Sequence, residues 1–223
     1  MNHWREIRNT LPADVTLVAV SKYHSAEQIA EAYAAGCRDF GESRVQELKL
    51  KQATLPKDIR WHFIGHLQTN KVRDLLRLRP YLIQSVDSEH LLRAIDTEAG
   101  KQGIVQDILL ELHVAAEETK SGFSIDEFNE LLTPNPLNTN PLNTNPLTEY
   151  PNIRIRGIMG MATNTDDEPE IRRCFHALHE QYLRFLDQCS LDNGLLSMGM
   201  SDDYSIALSE GSTMVRIGSA IFD

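Results

Sequence analysis

Lys22 closes the run Leu17-Val-Ala-Val-Ser-Lys22, in which small and β-branched apolar residues read as a buried strand with an amine at its exit. Burying an ammonium is costly, so an amine in such a place is paired, kept neutral for chemistry, or snorkels to the surface. Two distant segments carry groups that complement it. Met214-Val-Arg-Ile-Gly-Ser219 offers a permanent cation at Arg216, a glycine at Gly218 that lets an anion approach the backbone, and an N–H and a hydroxyl at Ser219. Ser197-Met-Gly-Met-Ser201 adds a hydroxyl at Ser201, at the head of the cap-forming sequence Ser201-Asp-Asp203. An amine, a cation and a cup of small residues are the parts that hold an aldehyde carrying a phosphate. Singly they say little: Gly-Ser pairs mostly make turns, and an arginine in a strand often serves a structural ion pair.

Whether these segments meet depends on the elements between them. After a short polar helical lead-in ended by Leu11-Pro12, the chain reads as strands at 15–20, 37–40, 59–64, 82–86, within 104–114, and at 153–159, 195–200 and 213–217. Helical patterns separate them. Ser25 with Gln28 and Ser124 with Glu127 are capping boxes, Ser88 is a cap, and Gly36 is a stop. Val72, Leu75 and Leu76, then Leu91, Leu92 and Ile95, then Ile171, Cys174, Leu178, Tyr182, Phe185 and Leu186 recur at helical spacing. Alternation of this kind in one domain spanning 1–223 predicts an α/β fold, a (β/α)8 TIM barrel whose site lies at the carboxyl ends of the strands. No G-x-G-x-x-G follows the first strand, which disfavours an open doubly wound sheet. The near-copies Asn135-Pro-Leu-Asn-Thr139, Asn140-Pro-Leu-Asn-Thr144 and Asn145-Pro-Leu-Thr-Glu149 predict an exposed Asn/Pro-rich loop over 133–151.

Composition narrows the function classes. Twenty-two Lys and Arg against 32 Asp and Glu give a formal charge of -10, which argues against a nucleic-acid backbone binder. The amino terminus has no apolar core segment and no run reaches membrane-spanning length, so neither a signal peptide nor an anchor is expected. The three cysteines, Cys37, Cys174 and Cys189, lack C-x-x-C spacing and predict reduced thiols in a cytoplasmic protein without structural zinc. His62 and His66 are four apart, but in a strand and its turn, so no metal site is expected of them. His176 and His179 sit among polar residues of a helix and read as solvated.

Pyridoxal 5'-phosphate is an aldehyde with a phosphate, and further motifs point the same way. Val18-Ala-Val-Ser-Lys22, Phe40-Gly-Glu42, Val45-Gln-Glu47, Trp61-His-Phe-Ile-Gly65, Leu67-Gln68, Asn70-Lys71, Lys120-Ser-Gly-Phe123, Arg156-Gly157, Leu196 through Asp203 and Gly211 through Gly218 together resemble the pyridoxal phosphate homeostasis protein family, in order and over nearly the whole chain. The resemblance implies an alanine racemase N-terminal-domain-like barrel that holds pyridoxal phosphate as a Schiff base and has no established turnover. It makes Lys22 the Schiff-base lysine, Arg216 the partner of the pyridine nitrogen, Ser201, Gly218 and Ser219 the phosphate ligands, and Met200 a wall of the ring. Ser43 stands where the family usually has an asparagine expected to reach the cofactor, and Ser219 where it usually has threonine. Pyridoxal-phosphate-dependent apoenzymes are the candidate exchange partners.

Two other readings share these parts. A racemase needs a second proton-transfer group, which racemases of this fold take from a tyrosine in a second domain of the partner subunit. This chain shows no such domain, which also points to a monomer, and none of its tyrosines can be placed opposite Lys22. A Schiff-base aldolase acting on a sugar phosphate also wants a barrel lysine and a phosphate cup.

Overall fold

Along the first strand the side chains alternate between two separate apolar clusters. Leu17 and Ala19 join the large core, whereas Val18 joins Leu82, Leu109, Met159 and Met214 in a small one. A strand that buries both faces needs helices on one side and other strands' side chains on the other, and a closed parallel barrel supplies both. A computed structural model describes residues 3–117, 121–133, 149–189 and 191–222. Its strands are β1 (Thr16–Val20), β2 (Asp39–Glu42), β3 (Arg60–Phe63), β4 (Leu82–Val86), β5 (Gln106–Leu112), β6 (Ile153–Gly160), β7 (Leu195–Ser197) and β8 (Met214–Ile217). They close in sequence order, every pairing parallel, with β8 returning to β1. The predicted fold class is the observed one.

The helices are α1 (Trp4–Thr10), α2 (Ala26–Ala34), α3 (Val45–Thr54), α4 (Thr69–Arg77), α5 (Glu89–Lys101), α6 (Ile125–Leu132), α7 (Glu168–Gln188), α8 (Tyr204–Ser209) and α9 (Ser219–Phe222). Both capping boxes form, and Ser88 Oγ accepts from Leu91 N–H at the start of α5. The α7 stripe is buried as expected except Leu186, which is only half-buried. None of the described helices is long and apolar enough to cross a membrane. The three cysteines are buried and unpaired.

Several strand ends shift from expectation, and four differences have a physical reason. β2 runs to Glu42 instead of stopping at Phe40, because Gly41 is an inward position: a Cβ there would lie 2.9 Å from Ile64 Cδ1. β7 ends at Ser197 instead of Met200, because Gly199 takes φ +97° and packs under α8. The cap of α8 is Asp203, not Ser201. Most of the repeat loop, 134–148, lies outside the described residues, but Tyr150 within 133–151 is 4% exposed and its hydroxyl donates to Glu89 Oε1 at 3.1 Å, so that end of the segment is anchored.

Candidate functional site

β1 stops at Val20 because the chain turns. His24 N–H donates to Ser21 O at 3.1 Å, and Tyr23 sits at φ 70°, a left-handed conformation that bulky residues rarely adopt. Ser21 fills the buried position. Its hydroxyl donates to Glu42 Oε1 at 2.5 Å, and Lys51 Nζ, ion-paired with the same oxygen at 2.7 Å, also donates to Ser21 O at 2.8 Å. A buried carboxylate and lysine thereby clamp the residue before Lys22. Lys22 itself is exposed, its Nζ 6.0 Å from the centre of the Tyr23 ring. The amine therefore stands on the solvent-facing rim, lifted there by the turn; of the three expectations for it, the surface one describes its position.

β8 brings the other groups to the same end. Val18 pairs with Arg216 and Ala19 with Ile217, so Gly218 passes Val20 closely, and a Cβ on Gly218 would lie 3.3 Å from Val20 O. On the other edge Arg216 N–H donates to Gly199 O at 2.9 Å. Ser219 Oγ donates to Ser201 Oγ at 3.1 Å, so hydroxyls from two separate strand ends become neighbours. Ser43 follows β2, two residues beyond the Gly41 that pairs with Val20. Met200 is 41% exposed, and its N–H donates to Asp203 Oδ1 at 2.6 Å. It borders a groove of about 530 Å³ lined also by Met161, Asp203 and Ile206.

Arg216 lies beneath this rim, 5% exposed. One terminal nitrogen, Nη1, donates to Ser197 O at 2.8 Å and Ser197 Oγ at 2.6 Å, and Nη2 donates to Gly160 O at 3.1 Å. These partners are two carbonyls and a hydroxyl, so the structural ion-pair reading of Arg216 does not describe it. Burial pushes its guanidinium down to about 10, opposed by Glu111 and Asp203, and it stays charged at neutral pH.

Several polar groups of the interior were not singled out from sequence. Glu111, on β5 and 3% exposed, accepts from Ser121 Oγ at 3.3 Å. Burial pushes its carboxyl up to about 7, aided by Asp87 and opposed by Arg216, Ser121 and His66. Gln84 and Ser197 have no exposed surface. His62 is equally buried and bonds Asp39 and Gln84, whereas His66 is exposed and bonds Asp87, so the two histidines serve different places. His176 is exposed beside Glu210, but His179 is half-buried with its ring against Gly211, which corrects the solvated reading for that residue. The available signal for the missed residues was parity: a polar side chain two positions from an inward apolar one, such as Gln84 after Leu82.

A family model described as "Alanine racemase, N-terminal domain" matches residues 1–223. The "Pyridoxal phosphate homeostasis protein" of Aquifex aeolicus (strain VF5) is 37% identical over 207 residues, covering 92% of this chain and 85% of that one. The Escherichia coli (strain K12) protein of the same name is 34% identical over 217 residues, covering 95% and 86%. Among solved structures, PipY of Synechococcus elongatus PCC7942 with PLP bound superposes with a TM-score of 0.84 at 35% identity, covering 98% of this chain and 97% of that one. Alanine racemase of Clostridium difficile 630 shares the fold, with a TM-score of 0.76 at 15% identity, and the match covers 97% of this chain and 54% of the racemase.

Proposed function

The chain belongs to the pyridoxal phosphate homeostasis protein family, and we propose that it holds pyridoxal 5'-phosphate reversibly on Lys22, as a cytoplasmic store or donor of the cofactor without catalytic turnover. The observation that carries this reading is the register of β8. It brings Arg216, Gly218 and Ser219 along the strand that pairs with the one ending before Lys22, with Ser219 against Ser201. The residues fit the group. Lys22 would hold the group through its amine, which would supply reversible condensation with the aldehyde, one water leaving on binding and returning on release. The hydroxyls of Ser201 and Ser219 and the side-chain-free approach at Gly218 would receive the phosphate, Arg216 would serve the pyridine nitrogen, and Ser43 and Met200 would contact the ring. An amine exposed on the rim supports uptake and release without opening the barrel.

Arg216 also favours holding over turnover. Carbanion chemistry is easiest when a carboxylate keeps the pyridine nitrogen protonated, and a guanidinium accepts no proton. The expected recipients are apoenzymes that need the cofactor, met by the chain as a monomer.

Protein purified from cells replete with vitamin B6 is expected to be yellow, to lose its visible band on borohydride reduction, and to carry the reduced adduct on a Lys22 peptide by mass spectrometry. Colourless protein that takes up no pyridoxal phosphate, or an adduct on another lysine, would overturn the assignment. Racemization of alanine by the pure protein, abolished in Lys22→Ala, would replace the carrier with an enzyme. A smaller effect is expected at the phosphate cup: Ser219→Ala removes one hydroxyl donor to a charged group and weakens cofactor affinity about tenfold, read by absorbance titration.

A further inference from the structure

We infer that Ser197, Gln84 and His62 are positioning residues that fix Arg216 through a one-way chain of hydrogen bonds running down the barrel interior. The inference rests on the proposed function, because what Arg216 is held for is the pyridine nitrogen.

The direction of the chain follows from its upper end. A guanidinium only donates. Ser197 Oγ, which receives Arg216 at 2.6 Å, must therefore send its own proton elsewhere, and Gln84 Oε1 lies 2.7 Å away. That orients the Gln84 amide, whose Nε2 then donates to His62 Nδ1 at 2.9 Å and points at Met214 Sδ at 3.2 Å. With Nδ1 an acceptor, His62 carries its proton on Nε2 and donates it to Asp39 Oδ1 at 3.0 Å. Turning the Gln84 amide round would confront Ser197 Oγ with two donors and leave the serine proton unplaced. At the lower end Asp39 is held by Arg60, Nε to Oδ1 at 2.7 Å and a terminal nitrogen to Oδ2 at 2.5 Å. Every bond from Arg216 to Asp39 thus points from the cation under the mouth towards the carboxylate at the floor.

The three linking side chains have no exposed surface, so water does not substitute for a lost member. With Nη1 committed twice and Nη2 once, two of the five guanidinium donors have no partner among the described residues and are available to a ligand. Which two remain is decided by Ser197, and the orientation of the Ser197 hydroxyl is decided by Gln84 and His62. A chain made only to fill the barrel would not need this polarity. Leu82, Leu109 and Met159 fill the same interior with apolar side chains.

The test uses the full chain. In cofactor-free protein, nitrogen NMR of the imidazoles should show His62 as the neutral Nε2–H tautomer; the Nδ1–H tautomer or an imidazolium at pH 8 overturns the chain whatever the protein binds. Gln84→Met keeps the volume and removes both links. It is expected to weaken pyridoxal phosphate affinity about tenfold and to shift the pH at which the visible band of the bound cofactor titrates. Gln84→Glu, which still accepts from Ser197, should restore most of the affinity. In an Arg216→Lys background Gln84→Met should add no further loss. Wild-type affinity and pH profile in Gln84→Met, or an equal loss in both backgrounds, would overturn the inference alone. If Gln84→Met does not fold, Ser197→Ala makes the same test with a smaller change. Failure of the wild type itself to take up cofactor would instead sink the proposed function, and with it the role given to Arg216.

Discussion

Lys51→Met is expected to lower folding stability by about 3–5 kcal/mol, the range for stranding one charge of a buried pair. Glu42 has no exposed surface, and its Oε1 takes Lys51 Nζ at 2.7 Å and Ser21 Oγ at 2.5 Å. Its Oε2 is buried without a hydrogen-bond partner among the described residues. Burial already pushes this carboxyl upwards, with Lys51 and Ser21 opposing, so removal of the lysine leaves a group that must either stay charged in an apolar setting or take a proton. The cost reaches the functional rim. Lys51 also holds the Ser21 carbonyl, one peptide away from Lys22, so the variant should exchange the amide protons of the 21–24 turn faster than the wild type. Removing both charges is different: Glu42→Gln with Lys51→Met should recover most of the loss, since an unpaired charge no longer remains. Urea denaturation measures both. A single variant within 1 kcal/mol of wild type, or a double variant worse than the single, would show that the pair is not the clamp described.

The difference between this clamp and the elements around it shows what a sequence can disclose. Helix starts were legible because a cap is local: Ser25 with Gln28 and Ser124 with Glu127 act across three residues, and both boxes form. The barrel was legible from alternation, and the site's location from the rule that strands deliver chemistry at their carboxyl ends. Lys22, Arg216, Gly218, Ser219 and Ser201 do gather at that end. What could not be read is whatever depends on the radius of the barrel. Gly41 falls beyond the strand expected over 37–40, but it is inward-facing in β2, where a side chain would meet Ile64 and Val18. Lys22 reads as the end of a buried strand, but Ser21 takes that place because Glu42 and Lys51 come to it from another strand and another helix. The Ser197–Gln84 bond joins residues 113 apart in sequence, and neither carries a local pattern that names its partner. Parity alone says that both face inward; register and shear decide that they touch.

Glu111→Gln is the other substitution with a large expected effect, and its sign is stabilising. The carboxyl is pushed up to about 7 chiefly by burial, with Asp87 adding to the shift and Arg216 subtracting from it. An acid whose pKa is higher in the folded than in the unfolded chain binds more protons when folded, at every pH between the two values. For Glu111 that window runs from the ordinary glutamate range, about 4.3, to about 7. Through it stability falls as pH rises, because each step upward demands that a buried carboxyl ionise; below the window the penalty is absent, and above it the penalty is complete. At about 1.4 kcal/mol per pKa unit the full penalty is on the order of 3 kcal/mol. A glutamine keeps an oxygen to accept from Ser121 and never ionises, and the attraction to Arg216 is already counted within the upward shift. The expectation is a gain of about 3 kcal/mol at pH 8, shrinking to little at pH 4.5, read as the difference between wild-type and variant urea curves across that range. Equal stabilities at pH 8, or a difference that does not shrink towards pH 4.5, would mean that Glu111 is solvated in the folded chain. The result bears on the site as well. Glu111 and Asp203 are the two carboxylates whose fields favour the charge on the buried Arg216, so the glutamine variant should hold its cofactor less tightly at pH 8 even as the fold around it becomes more stable. A gain in folding free energy coupled to a loss in cofactor affinity would identify Glu111 as a charge retained for the ligand at the expense of the barrel.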